Sequence, residues 1–454
     1  MGEMRVPASA LYGAQTQRAV ENFPISGQAL PPRFIHALGL VKLAAARVNQ
    51  ELGLLPDDVA EAIEHAAREV ADGMHDDQFP IDVFQTGSGT STNMNANEVI
   101  ATLASRALGK KVHPNDDVNR GQSSNDVIPT TLHVSAVRAI EQELIPALRE
   151  LQEMLAAKAR EFDSVVKIGR THLMDAVPIR VGQEFSGYAR QIELGIVRLR
   201  QAVVGLRELA IGGTAVGTGL NTPPDFGQRV ADQLSDLTGT QFVEAANHFE
   251  AQGAQDAAVF AAGALTTLAA SLMKMANDIR LMASGPQAGL GELILPAIQP
   301  GSSIMPGKVN PVICEAVIQV GAQVTGNCQT VTIGGQWGQL DLNTMLPVMA
   351  KNLLDSIRLL ANVSRVFVEK CLAGTVANEA RCEGYIERSI SMATALNPHI
   401  GYDKAATIAK ESHATGRTVR EIAYEKSGLS KERVDAALHP RRQTEPGGSG
   451  GTGG

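Results

Sequence analysis

The chain has 454 residues, of which 44% are hydrophobic, 19% charged and only 4% aromatic, a balance that fits a soluble globular protein whose core is built from Ala, Leu, Val and Ile. Its length exceeds what one compact core holds, so two or three domains, or an elongated bundle with smaller caps, are expected. A formal net charge of -8 argues against a nucleic-acid surface, which needs clustered positive charge, but leaves room for a local basic pocket that binds an anion.

Cys314, Cys328, Cys371 and Cys382 are scattered without CxxC spacing, which argues against a zinc site or a disulfide framework and fits a reducing cytoplasm. The opening MGEMRVPASALYG lacks the apolar run of a secretion signal.

In chain order, Pro and Gly turns alternate with helical stretches near Pro32 to Leu52 and Pro56 to His75. Thr86 to Glu98 reads TGSGTSTNMNANE. It is either a loop that caps the following helix or a place where Ser88 and Thr90 offer hydroxyls to an anion at a helix N-terminus. His113 to Thr130, HPNDDVNRGQSSNDVIPT, sets Ser123, Ser124 and Asn125 ahead of a long helix, with the same two readings, a cap or a carboxylate site. From Val137 through Ile140, Leu144, Leu148, Leu151 and Leu155 the apolar residues recur at three and four, which is amphipathic helix periodicity, with Pro146 kinking the run.

The next polar segment, Arg170 to Pro178, places His172 between Thr171 and Asp175, and residue type alone leaves that histidine between a structural and a catalytic role. A second amphipathic helix is expected over Val181 to Leu209. Gly212 to Asn221, GGTAVGTGLN, lacks the strand and helix context of a nucleotide fingerprint and reads as a loop near a site. Ala254 to Ser284 is apolar nearly all round and would span roughly 45 Å as a helix. Asp256, Lys274, Asp278 and Arg280 argue against a membrane span there, so this surface is expected in the core of an oligomer.

Gly301 to Pro311, GSSIMPGKVNP, concentrates turn formers, two hydroxyls, a lysine and an asparagine in eleven residues. Gly301, Pro306 and Gly307 suit a tight or left-handed backbone that aims N–H groups at one spot, Lys308 adds a charge and Asn310 a donor. The glycines and prolines from Gly285 onward suggest a mobile lid. Helices are expected at Val309 to Thr330 and Leu346 to Val368, followed by shorter charged ones such as Asp403 to Ser412 and Thr418 to Glu425. The expected domains are 1–118, mixed helical; 119–375, a central helical bundle with the loop; and 376–445, small and helical. The glycine-rich 446–454 is expected to be a disordered tail.

In this order, TGSGTSTNMNANE, HPNDDVNRGQSSND, GRTHLMDAVP, GGTAVGTGLN and GSSIMPGKVNP resemble the fumarase/aspartase superfamily, most closely its class II fumarate hydratase family, over about Val6 to His439. The resemblance implies an all-α, three-domain fold whose central long-helix bundle forms the core of a homotetramer. Each active site would be shared by three subunits, with no metal or organic cofactor. The implied reaction is the reversible hydration of fumarate to L-malate, the dicarboxylate passing through an aci-carboxylate carbanion. Ser302 matches the base that takes the C3 proton, Lys308 and Asn310 the groups that hold the developing charge. His172 matches the acid serving the departing hydroxyl, and Glu315 its carboxylate partner. Ser88, Thr90, Ser123, Ser124, Asn125, Thr171 and Ser303 match substrate-contacting positions, while His113, Asn115 and Asp116 match a second dicarboxylate site.

Two positions favour water over ammonia as the leaving group. In aspartases the position of His172 is typically glutamine and that of Gly307 alanine, and this chain has the fumarase residue at both. Hydroxide needs a proton donor more than ammonium does, which leaves aspartate ammonia-lyase as the second reading. The third, a non-catalytic helical scaffold, is opposed by a chemically competent residue at every matched position.

Overall fold

The computed structural model describes residues 3–448; the 449–454 part of the expected tail lies outside them. Seventeen α-helices occur among the described residues. In chain order they are α1 (Ala14–Asn22), α2 (Pro32–Glu51), α3 (Asp57–Ala71), α4 (Thr90–Leu108), α5 (Ser124–Ala139), α6 (Ile145–Glu161), α7 (Val181–Leu206), α8 (Phe226–Thr238), α9 (His248–Gly253), α10 (Asp256–Met282), α11 (Val312–Gly335) and α12 (Leu346–Lys370). Five short ones follow, α13 (Glu379–Ile386), α14 (Asn397–Ile400), α15 (Tyr402–Thr415), α16 (Val419–Lys426) and α17 (Lys431–Ala437). The expected all-α class is observed, with one hairpin as its main exception.

Local chemistry explains where these helices start and bend. Pro32 opens α2, where a missing N–H is no loss because first-turn N–H groups have no helical acceptor. The α5 cap is reciprocal: the Ser123 hydroxyl accepts from the Asn125 N–H at 3.2 Å and the Asp126 carboxylate accepts from the Ser123 N–H at 2.8 Å. Where a kink was expected near Pro146, a π-helical turn at Ile140–Leu144 separates α5 from α6.

The chain resolves into two compact units. One holds the residues up to Ala147 with Gly195–Ala270 and Gln319–Asn362; the other holds Leu148–Leu194, Ser271–Ile318 and the residues from Val363 on. In the first, α2 packs on α3, α5 and α8, and α1 is tied to α4 through Glu98. That carboxylate accepts from the N–H groups of Gly13, Gln15 and Thr16 and, at 2.6 Å, from the Thr16 hydroxyl. The long helices approach through small residues: Gly335 of α11 lies against Val259 of α10 and Gly334 against Met349 of α12, where an added Cβ would come within 2.5 Å of the neighbour. A core poor in aromatics packs this way, by bringing backbones close.

The second unit contains the hairpin, β1 (Val166–Thr171) paired antiparallel with β2 (Met174–Arg180), with a register shift between Ile168 and Arg170. The sequence reading gave this segment no strand. Val166 and Ile168 enter an apolar cluster with Ile386, Leu396, Ile408, Ile422 and Val434, so the C-terminal helices support the hairpin's inner face. Other strands among the described residues are two-residue pairs. In this unit Tyr188 of α7 donates to Asp278 of α10 at 3.0 Å, and Cys314 and Cys371 are buried free thiols with sulfurs 4.0 Å apart. Among the described residues only α10 is apolar and long enough to cross a membrane by length and composition, and 44% of its most apolar window is buried inside the single chain.

Candidate active site

The predicted site residues fall in both units. In the first unit the loop before α4 turns on Gly89, whose φ of 72° is left-handed. A Cβ there would meet Ile128 of α5 at 2.8 Å. The turn therefore sets the start of α4 against α5, and the hydroxyls of Ser88 and Thr90 hydrogen-bond each other at 2.8 Å. Asn93, one turn into α4, donates from Nδ2 to Ser124 Oγ at 3.1 Å. Asn125 donates to the Ala215 carbonyl at 2.8 Å, which joins the start of α5 to the glycine-rich 212–221 loop. Ser88, Thr90, Ser123, Ser124 and Asn125 are thus brought together at two adjacent helix N-termini, where backbone N–H groups favour an anion.

Two buried charges underlie this cradle. Asp126 accepts from the N–H groups of Gly212 at 3.2 Å and Thr214 at 2.9 Å besides that of Ser123. Burial raises its carboxyl to about 6, against the pull of those N–H groups and of Lys42. Lys42 of α2 is fully buried and donates to Asn119 Oδ1 and Gln122 Oε1, both at 2.9 Å. Burial lowers its ammonium to about 7, with Asp126 opposing.

His113, Asn115 and Asp116 form a separate group at the π-helical turn Pro114–Val118. His113 Nδ1 accepts from the N–H groups of Asn115 at 3.3 Å and Asp116 at 3.1 Å. The same nitrogen lies 3.2 Å from Asp116 Oδ2, so the turn is closed on the imidazole from both the backbone and a carboxylate.

In the second unit His172 sits at the tip of the β1–β2 hairpin, exposed with Thr171. Both tip residues are left-handed, His172 at φ 56° and Leu173 at φ 61°. That is the backbone of a two-residue hairpin turn, normally filled by Asn and Gly. Along the same strand, Arg170 near the tip donates to Glu292 Oε1 at 2.7 Å and Lys167 near the base pairs with Glu292 Oε2 at 2.9 Å. Glu292 is fully buried and immediately precedes the chain leading to the 301–311 loop.

In that loop Ser302 Oγ accepts from the N–H groups of Ile304 at 3.2 Å and Met305 at 3.0 Å. The loop is closed by Gly301 donating to the Lys308 carbonyl at 2.7 Å and by Asn310 Nδ2 donating to the Gly301 carbonyl at 2.8 Å. Ser303 and Lys308 are exposed, and Gly307 turns with φ 79°. Glu315 lies in the first turn of α11. Among the described residues no hydrogen bond or ion pair joins His172 to Glu315.

A family profile described as Lyase matches residues 2–326, and one described as Fumarase C C-terminus matches residues 392–445. The chain is 58% identical to the class II fumarate hydratase of Corynebacterium efficiens, over 96% of this chain and 92% of that protein. It is equally identical, 58%, to the class II fumarate hydratase of Mycobacterium tuberculosis over 97% and 93%. The chain belongs to the class II fumarate hydratase family. In fold it matches the crystal structure of class II fumarase from Schistosoma mansoni with a TM-score of 0.96 at 39% identity, over 98% of both chains. A structure described as fumarate lyase:delta crystallin from Brucella melitensis matches with a TM-score of 0.94 at 46% identity, again over 98% of each.

Sequence reading for this family member singled out the hydroxyls and amides but passed over Lys42, Asn93, Asn119, Asp126 and Glu292. The available signal was Lys42 itself, standing within the apolar run ALGLVKLAAARV where a lysine has no face on which to reach water.

Proposed function

We propose that this chain hydrates fumarate to L-malate reversibly, with Ser302 as base and His172 as acid, and that it does so as a soluble cytoplasmic homotetramer. The observation that carries the role of Ser302 is its pair of backbone donors. A serine hydroxyl is too weak an acid to lose its proton unaided, and the N–H groups of Ile304 and Met305 aimed at Oγ favour the alkoxide. Lys308, on the same loop, adds positive charge.

From malate, Ser302 Oγ takes the C3 proton and its electron pair passes into the adjacent carboxylate, giving the aci-carboxylate. Lys308 and Asn310 hold that charge where it develops. The pair then returns to form the C2–C3 double bond as the C2–O bond breaks, and His172 protonates the departing hydroxyl so that water leaves. Hydration runs the same steps backwards. Ser88, Thr90, Ser123, Ser124, Asn125, Thr171 and Ser303 bind and orient the two carboxylates. No metal or organic cofactor enters any step.

Among the described residues His172 and Glu315 do not pair with each other, which supports a site shared by three subunits, Glu315 of one orienting His172 of another. His113, Asn115 and Asp116 supply the second dicarboxylate site, and we read the chain as domains 1–118, 119–375 and 376–445. The test is ultraviolet absorbance, because fumarate's conjugated double bond absorbs where malate and aspartate do not. Fumarate is expected from malate; fumarate from aspartate alone would make the chain an ammonia-lyase, and none from either a scaffold.

A further inference from the structure

The Ser124 hydroxyl accepts from Asn93 at 3.1 Å, and the chain of groups behind it fixes that direction. Lys42 is a donor without acceptor capacity. Its ammonium, 2.9 Å from Asn119, therefore requires the Asn119 oxygen on its side, and Asn119 Nδ2 faces the Gln122 carbonyl at 3.1 Å. That oxygen in turn requires donors from α4, and it receives the Nδ2 groups of Asn93 and Asn97, each at 3.2 Å. With Nδ2 of Asn93 so placed, the same nitrogen faces Ser124 Oγ at 3.1 Å. Turning the Asn93 amide over would set its oxygen against the Asn119 oxygen.

The arrangement has a cost that stability alone does not explain. Asn93 Oδ1 and Asn97 Oδ1 are buried without a hydrogen-bond partner among the described residues, and each forfeits the hydration it had in the unfolded chain. Lys42, Asn93 and Asn97 are all essentially inaccessible. An unaided hydroxyl rotates freely and can present a lone pair to a carboxylate as readily as its proton. An inward amide donor leaves its proton directed outward.

We propose that Lys42 is a positioning residue that, through Asn119 and Asn93, holds Ser124 as a dedicated hydrogen-bond donor to a substrate carboxylate. The inference rests on the reading above that Ser124 binds substrate. It predicts that Lys42 and Asn93 act on binding only by way of the Ser124 hydroxyl.

The test is a pair of double-mutant cycles read as the inhibition constant of succinate, a dicarboxylate that does not react. Ser124→Ala, Asn93→Asp and Lys42→Met are each expected to weaken succinate roughly tenfold or more, as loss of a hydrogen bond to a charged group does. In Asn93→Asp a carboxylate that only accepts replaces the donor amide and draws the Ser124 proton inward. In the Ser124→Ala background neither second substitution should weaken succinate further. Should either weaken it by the same factor in both backgrounds, its effect is general electrostatics or packing and the proposal fails. No effect of Asn93→Asp while Ser124→Ala weakens binding would also overturn it and leave the Ser124 reading intact. No effect of Ser124→Ala would overturn both. Should Lys42→Met fail to assemble, the Asn93→Asp cycle decides.

Discussion

Glu292→Gln isolates the buried ion cluster beneath the hairpin. Glu292 is fully buried and carries Arg170 on one oxygen and Lys167 on the other, both from β1. The amide keeps the shape and removes the charge. Breaking a buried pair by removing one partner costs about 3–5 kcal/mol. The lower end applies, because Lys167 keeps Glu184 at 3.1 Å and Arg170 keeps the Tyr385 ring at 5.6 Å. About 3 kcal/mol, at about 1.4 kcal/mol per tenfold, raises the opening equilibrium of β1–β2 roughly a hundredfold. Hydrogen–deuterium exchange on peptides covering 166–180 should accelerate by that factor at otherwise unchanged exchange of α2 and α3. Turnover should fall as well, since His172 is carried on the tip. Exchange within about threefold of the parent would refute the idea that this cluster holds the hairpin.

Ser302→Ala should remove most turnover while the assembly measured by sedimentation is unchanged, and retained turnover would strike Ser302 from the role of base. His172→Asn, which tolerates the same left-handed backbone, should lower turnover strongly with little change in thermal midpoint; an unaffected rate would reassign the acid. Lys42, lowered to about 7 by burial, gives a pH dependence whose sign is set. Below that value the ammonium is present and keeps Asn119, Asn93 and Ser124 in donor order toward a bound dianion; above it the free enzyme has lost the proton and binding must recover it. KM for fumarate should therefore rise with pH above about 7, by at most tenfold per pH unit. Asp126, which among the described residues is the charged group acting on Lys42 and is itself raised to about 6, is already largely ionised across that range. The rise should vanish in Lys42→Met, and a pH-independent KM in the parent would refute it.

The long helices were legible because α7 carries apolar periodicity over many turns and α10 is apolar nearly all round, where no local signal competes. The hairpin was not. Its tip has His and Leu in place of Asn and Gly, and Pro178 pairs opposite Ile168, so the strand and turn signals were both weak. The site divided in the same way. Clustered hydroxyls and amides before α4 and α5 stood out because such residues punctuate helix starts, and the GSSIMPGKVNP loop stood out because its glycines flank a charge. Asn119 and Glu292 were hidden, since what they do depends on partners 77 or 122 positions away in the chain, a relation that no window of neighbouring residues contains.

The left-handed tip of the hairpin also limits which enzymes can be bred from this one. A β-branched residue at position 172 or 173 would clash with its own backbone at these angles, whatever chemistry it brought. Randomising the two positions and keeping only well-folded clones should therefore return Asn, Asp, His and Gly far more often than Val, Ile or Thr. The hairpin acts as a filter ahead of any selection for a new leaving group, and replacing Leu173 with Gly would widen it.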